Sequence, residues 1–225
     1  MTQIVLPTPG LSRRAFAWYP EMAWPYESAW SLLHKYCRWN ATLQWEIWRQ
    51  FADRSALGSF ITERVNNLVL LTPGWLDVER FHDALREDVP FDEHGSAFAS
   101  HFINRVAGRS MVAVCSSVLR FCPVCLRAGY HSTLFQIRHV ESCPVHAIKL
   151  RVGCPACAVL VPYRLPRGRH PAYGCGCGYE FSVLQTPPVL SSERVGRAMR
   201  ELTLNLAASR LVTLRLAGHS GLVGG

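Results

Sequence analysis

Leu119-Arg-Phe-Cys122-Pro-Val-Cys125, Cys143-Pro-Val-His146, Cys154-Pro-Ala-Cys157 and Cys175-Gly-Cys177 succeed one another between Leu119 and Phe181. Seven of the nine cysteines and one histidine fall here, in four close pairs. Two residues separate the members of the first three pairs, and one separates the last. Two ligands on a tight turn grip one face of a tetrahedral ion, and this is the ligand spacing of zinc sites. Proline inside Cys-Pro-x-Cys fixes φ and helps preset the turn.

The pairs repeat. Seventeen residues separate Cys125 from Cys143, and seventeen separate Cys157 from Cys175. A shift of 32 places Cys122 on Cys154, Cys125 on Cys157 and Cys143 on Cys175. His146 falls on Gly178 instead, and Cys177 takes its place. The pattern reads as two zinc modules in tandem, one with three cysteines and a histidine, the other with four cysteines. Spacing alone leaves cross-braced ligation open, with pairs one and three against two and four. Each set is complete at four protein ligands, so two structural Zn²⁺ per chain are expected, with no open position for water or substrate.

Other readings of these residues are weaker. The sequence opens without a basic and then apolar leader pattern, so a reducing, cytoplasmic setting is expected, in which disulfides are rare. A thioredoxin-like pair needs no further pairs beside it. His139-Val-Glu141 matches the His-x-Glu of zinc deaminases, but Gly153 stands where that pattern wants proline before Cys154-Pro-Ala-Cys157. No His-Glu-x-x-His element occurs.

At 225 residues, 49% of them hydrophobic, the chain can bury a real core and is not a disordered tail. No apolar run reaches the roughly 18 residues a transmembrane helix needs. The net charge is +8, and it is uneven: −1 over residues 1–119, +6 over 120–181 and +3 over 182–225. Seven thiolates and two Zn²⁺ would lower the middle value to about +3. A basic surface there fits nucleic acid, and charge alone fits a solvated face equally well.

The expected fold is mainly α with small zinc-ribbon or zinc-finger modules: an N-terminal helical bundle, a tandem zinc region and a C-terminal helix. Residues 1–25 read as an extended arm that packs Phe16, Trp18, Tyr19 and Trp24 on the helical domain. Residues 26–118 read as that helical domain. Its first helix runs from Glu27-Ser28 to about Trp39, with Trp30, Leu33 and Cys37 at helical spacing and Asn40 ending it. Thr42 is the expected cap of the second, whose stripe is Leu43, Ile47 and Phe51. A third is expected over 60–71 and a fourth from Thr72-Pro73 to about Glu87. The turn near Gly58 is a candidate helix-turn-helix. The acidic loop 90–95 reads as solvated, with Asp92, Glu93, His94 and His101 not taken as a site. A helix over 97–107 and a strand over 112–118 lead into the zinc region, 119–182. Residues 183–225 read as a helix from Ser191-Ser192 to about Leu216, striped by Val195, Met199, Leu202 and Leu206, and a Gly-rich tail. Arg164, Arg167 and Arg169, in the most basic short loop, and Arg138 are the candidate phosphate contacts.

The zinc region resembles the TniQ family of bacterial transposon proteins. The residues that carry the likeness are Leu119-Arg-Phe-Cys122-Pro-Val-Cys125-Leu, Tyr130-His131, Phe135-Gln-Ile and Val140-Glu-Ser-Cys143-Pro-Val-His146, then Leu150 and Cys154-Pro-Ala-Cys157. Glu27-Ser28-Ala29-Trp30-Ser31-Leu32-Leu33 looks like the family's opening helix. The likeness covers roughly residues 20 to 180. Members often carry glycine where this chain has Ala147 and Ala158, and tryptophan where it has Phe135. The chain is also shorter than many members. The resemblance implies a non-enzymatic adaptor that helps choose the insertion site, binds DNA or a guide-RNA effector complex, and recruits the transposon's AAA+ ATPase. A second copy of the chain is a further candidate partner. The alternatives are a zinc-ribbon transcriptional regulator or protein-interaction module, and, less favoured by closed ligand sets, a zinc or thiol enzyme.

Overall fold

The computed structural model describes residues 18, 22–53, 70, 76–85, 114–164, 173–182 and 191–219. Its elements, in chain order, are α1 (Ala29–Trp39), α2 (Gln44–Phe51), α3 (Val78–Leu85), β1 (Arg120–Phe121), α4 (Pro123–Arg127), a 3₁₀ turn (Thr133–Gln136), β2 (Arg151–Val152) and α5 (Ser192–His219). Helices, one two-stranded antiparallel sheet and two Cys/His clusters therefore make up the described architecture. Among the described residues no helix is long and apolar enough to cross a membrane.

Helix α1 is the centre of the core. Ser28 caps it by accepting a hydrogen bond from the Ser31 N–H at 3.1 Å. Asn40 ends it, as its sequence position suggests, with its N–H on the Tyr36 carbonyl, and Ala41 then turns left-handed at φ 48°. Every residue from Ala29 to Cys37 is buried. One face meets α2 and α3 through Tyr36, Phe51 and Phe81, whose rings stack edge to face at 5.3 and 5.1 Å. The other meets the cysteine-rich region, where Trp30 lies 5.5 Å from both His131 and Tyr173. A single apolar core thus runs through the helices and the cysteine-rich region.

Two helix starts differ from their sequence signals. Thr42 does not cap α2; Leu43 precedes the helix, and its N–H donates to the Glu46 carboxylate at 2.9 Å. The helix expected from Thr72-Pro73 begins at Val78, because Leu76 pairs with Ala52 in an extended bridge and Asp77 accepts from the Arg80 N–H at 3.0 Å. Of the strand expected over 112–118, the described residues 114–118 form no continuous strand. Val114 is helical, and Cys115 and Val118 make isolated bridges to Ile137 and Pro162. Cys115 is buried, as expected. Helices expected over 60–71 and 97–107, the turn at Gly58, the acidic loop 90–95 and His101 lie outside the described residues, apart from Leu70.

Trp18 and Trp24 of the expected arm pack on the core. Helix α5 packs on the same core. Val195 and Met199 are fully buried, Leu202 and Leu206 partly so, and Gly196 sits so close to Pro25 that a Cβ there would meet Pro25 Cγ at 3.3 Å. The 3.6-residue period of that stripe is what the sequence predicts.

Candidate metal centres

Each ligand pair rides on its own backbone turn. Cys122 is the N-cap of α4, and the Leu126 N–H donates to its carbonyl at 2.9 Å. The other three pairs sit in tight hairpins. The Cys143 N–H donates to the Ile148 carbonyl, and the Ala147 N–H to the Cys143 carbonyl, both at 2.8 Å. The third pair repeats this, with Cys154 N–H on Val159 and Ala158 N–H on Cys154, both at 2.8 Å. In the fourth, the Cys175 N–H donates to Tyr179 and the Gly178 N–H to Cys175, at 2.8 and 2.9 Å. This last turn is one residue shorter, which is why Cys177 rather than residue 178 completes the set. Chain reversal needs left-handed backbone in each hairpin, and φ is 54° at Ala147, 59° at Ala158 and 89° at Gly178.

The hairpins bring the eight predicted ligands into two groups: Cys122, Cys125, Cys143 and His146, and Cys154, Cys157, Cys175 and Cys177. Within each group all donor atoms lie within 4.8 Å of one another, and the grouping is module by module, not cross-braced. The edges of a tetrahedral zinc site are about 3.8 Å between sulfurs and about 3.5 Å between sulfur and nitrogen, from bond lengths of about 2.3 and 2.0 Å. In the first group His146 Nδ1 lies 3.5, 3.3 and 3.5 Å from the sulfurs of Cys122, Cys125 and Cys143, and Cys125 Sγ lies 3.6 Å from Cys143 Sγ. In the second, Cys154 to Cys177 is 3.6 Å and Cys157 to Cys175 is 3.7 Å. Disulfide sulfurs would be about 2.05 Å apart. Both groups can hold a metal ion, and the separations fit a four-coordinate one.

Thiol acidity varies within the clusters: neighbouring thiols raise Cys125, Cys143 and Cys157, while Cys122 and Cys154 are lowered. Hydrogen bonds from the Cys125 and Cys143 thiols pull Cys122 down to about 2. Burial acts to raise Cys154, but the amides of Ala156 and Cys157 and the thiols of Cys177 and Cys175 outweigh it and bring it to about 7. Cys37 and Cys115, outside the clusters, are raised by burial. Burial, with the Glu46 charge, pushes Cys37 up to about 12, and burial pushes Cys115 up to about 12 against the pull of Arg138. These two are inert core thiols.

The modules are joined to each other and to α1. Strand β1, just ahead of the first pair, pairs with β2, just ahead of the third; Arg120 faces Val152 and Phe121 faces Arg151. The Arg120 carbonyl accepts from His131 Nε2–H at 2.9 Å, so His131 Nδ1 accepts the Ser28 hydroxyl at 2.7 Å. From the second module, Tyr173 donates its N–H to His34 Nδ1 at 2.9 Å. The Tyr173 hydroxyl reaches the carbonyls of Ser31 and Gly129 at 2.9 and 3.1 Å. Ser31 Oγ donates to Glu27 at 2.6 Å, and Glu27 forms a buried ion pair with Lys35 at 2.7 Å. Lys35 also donates to the Met22 carbonyl at 2.6 Å. Burial lowers His34 to about 3, assisted by His131, and lowers His131 to about 4 against the Arg120 carbonyl, so both rings are neutral.

Sequence reasoning assigned no role to Glu27, Ser31, His34, Lys35 or Tyr173 in this junction. The available signal was polar residues at Ser31, His34 and Lys35 within an otherwise apolar helix. Of the candidate phosphate contacts, Arg138 is exposed and donates through Nε to the Cys115 carbonyl at 2.9 Å. Arg164 is half-buried and lines a cavity of about 210 Å³ with Trp30, His34, Val159, Leu160 and Pro162. Arg167 and Arg169 lie outside the described residues. The chain matches no protein-family model and no curated protein.

Proposed function

We propose that the chain is a non-enzymatic adaptor of the TniQ kind, stabilised by two structural Zn²⁺. On this reading it binds DNA, helps choose the insertion site of a bacterial transposon and recruits that element's AAA+ ATPase. The observation that carries the proposal is the buried junction: Glu27-Ser28 and Ser31 of the opening helix meet His131 and the carbonyl of Gly129. The two stretches on which the resemblance rests, about a hundred residues apart in sequence, are therefore partners in space. Soft, closed S₃N and S₄ donor sets at tetrahedral separations support zinc as the metal. Closed sets also leave no position for a substrate, which favours a scaffold over a catalyst. Arg138, Arg164, Arg167 and Arg169 are the proposed phosphate contacts.

Metal analysis of the purified chain, followed by DNA binding across a salt series, tests this. Two zincs per chain and a log–log salt slope are expected, with the slope reduced by about 3 when Arg164, Arg167 and Arg169 are replaced together, if each neutralises one phosphate. Fewer than two zincs would overturn the tandem centres, and DNA affinity independent of salt would overturn the nucleic-acid role. A protein-docking module is the second reading. Val152, Val159 and Leu160 are more than half exposed around the third pair, beside the cavity that Arg164 lines. Two zincs without DNA binding would select it.

A further inference from the structure

The two centres face solvent differently. Cys122, Cys125 and Cys143 are completely buried and His146 is half-buried. In the second group Cys154 and Cys175 are buried, but Cys157 and Cys177 are exposed. Each exposed sulfur touches a buried one on the opposite hairpin, Cys177 against Cys154 at 3.6 Å and Cys157 against Cys175 at 3.7 Å. We propose that the second centre is a site of oxidative modification. A hydroperoxide converts its four thiolates into Cys154–Cys177 and Cys157–Cys175 disulfides and expels the metal, while the first centre stays loaded. This rests on the two-zinc reading above.

The chemistry closes without a further reactant. The exposed Cys177 thiolate attacks one peroxide oxygen, the O–O bond breaks, and a sulfenic acid and hydroxide form. The Cys154 thiolate attacks that sulfur, the S–O bond breaks, and a second hydroxide leaves. Two thiolates have lost two electrons, and one peroxide has gained them. Cys157 and Cys175 repeat the sequence with a second peroxide, and Zn²⁺ departs once its donors are consumed. In the first centre no sulfur is open to the oxidant, so the same steps have no entry.

The proposed connectivity follows the sulfur contacts at 3.6 and 3.7 Å, within a set whose donors all lie within 4.8 Å of one another. The contacts run across the hairpins, so the disulfides join the two turns that the metal joins. Tyr173, two residues before Cys175, then keeps its bonds to Ser31 and His34. Oxidation on this account exchanges one staple for another and leaves α1 seated.

The test uses the full zinc-loaded chain, its two zincs counted first, treated with limiting hydrogen peroxide in the presence of a colorimetric zinc indicator. One zinc per chain is expected at least tenfold faster than the other. Non-reducing peptide mapping should give the two cross-hairpin disulfides, and the buried tryptophan emission should persist. Brief iodoacetamide treatment should label Cys157 and Cys177 ahead of Cys122, Cys125 and Cys143, which needs no variant to fold. Release of both zincs at one rate, earlier loss of the first, or Cys154–Cys157 disulfides would each overturn the proposal. Fewer than two zincs before peroxide would instead overturn the zinc reading, and this inference with it.

Discussion

Ala147 and Ala158 hold left-handed backbone with φ near 54° and 59°, at the hairpin positions where the repeat-related fourth turn uses Gly178. A Cβ in that region costs about 1–2 kcal/mol, partly offset by the extra freedom glycine has when unfolded. Ala147→Gly and Ala158→Gly should each raise stability by up to about 1 kcal/mol, read as a higher thermal midpoint. Ala128, which ends α4 with φ −77°, is the control; Ala128→Gly should give no gain. Gly153 shows the opposite case, since it combines φ 82° with a Cβ position only 3.0 Å from the Ala158 carbonyl oxygen, so Gly153→Ala should destabilise. His34 and His131 give a second test. Their folded values, about 3 and about 4, lie below the ordinary 6.5. Between about pH 6.5 and 4 the unfolded chain takes up protons that the folded chain refuses. The neutral rings' contribution is therefore full above about pH 6.5 and is lost as pH falls toward their folded values. Each ring adds a slope of up to about 1.4 kcal/mol per pH unit. His34→Gln, whose amide oxygen can still accept the Tyr173 N–H, should remove one ring's share. Comparing the two slopes in excess zinc cancels the acid sensitivity of the ligands, and equal slopes would refute the assignment.

Helix α1 is seated by polar bonds as much as by apolar area. Removing one member of a buried ion pair strands the other, at a cost of about 3–5 kcal/mol. Lys35→Met should therefore destabilise strongly, whereas Lys35→Met with Glu27→Leu should recover most of the loss; denaturant midpoints decide it. The metal hairpins act on the same helix from both modules. Structural zinc contributes on the order of 10–16 kcal/mol of apparent binding energy, comparable with or above the whole stability of a domain. Cys125→Ser, at a ligand with no exposure, should abolish cooperative unfolding and shift the Trp30 emission. Retained zinc content and midpoint would sink its assignment as a ligand. The elements themselves were partly legible. Repeated pair spacing gave all eight members of the two clusters, and the apolar stripes of α1 and α5 gave those helices, because each signal is local. The caps at Thr42 and Thr72-Pro73 misled, since Leu43 with Glu46, and Asp77, satisfy the first N–H groups instead. Alanine at two left-handed positions carries no local signal at all; only a likeness in which glycine is common there hinted at it.

For the whole molecule, the cysteine-rich region is a wall of the core and not an appendage. Phe121, Leu126, Phe135 and Tyr163 share one apolar cluster with α1 and with Val195 of α5. Charge divides along the same chain, with the +6 segment in the part that carries the two Cys/His clusters. That division was legible from composition. The joint itself was not, because Glu27, Ser31 and Lys35 look like a solvated helix face until their partners are placed beside them. Pattern reading assigns a polar residue by its neighbours in sequence, and here the neighbours that matter come from loops far along the chain.

Those separations set an order in time. The bonds of Ser31 to Gly129 and of Ser28 to His131 span 98 and 103 residues, and that of Ser31 to Tyr173 spans 142. Synthesis delivers α1 early, but Ser31 meets Tyr173, and Arg38 the Ser182 carbonyl, only after residue 182 has left the ribosome. Until then the face of α1 turned away from α2 and α3 has no seat, and closing loops of that length is slow and exposed to competing association. That face of the nascent N-terminal segment must therefore wait for Tyr173 and Ser182, the two residues that flank the fourth cysteine pair.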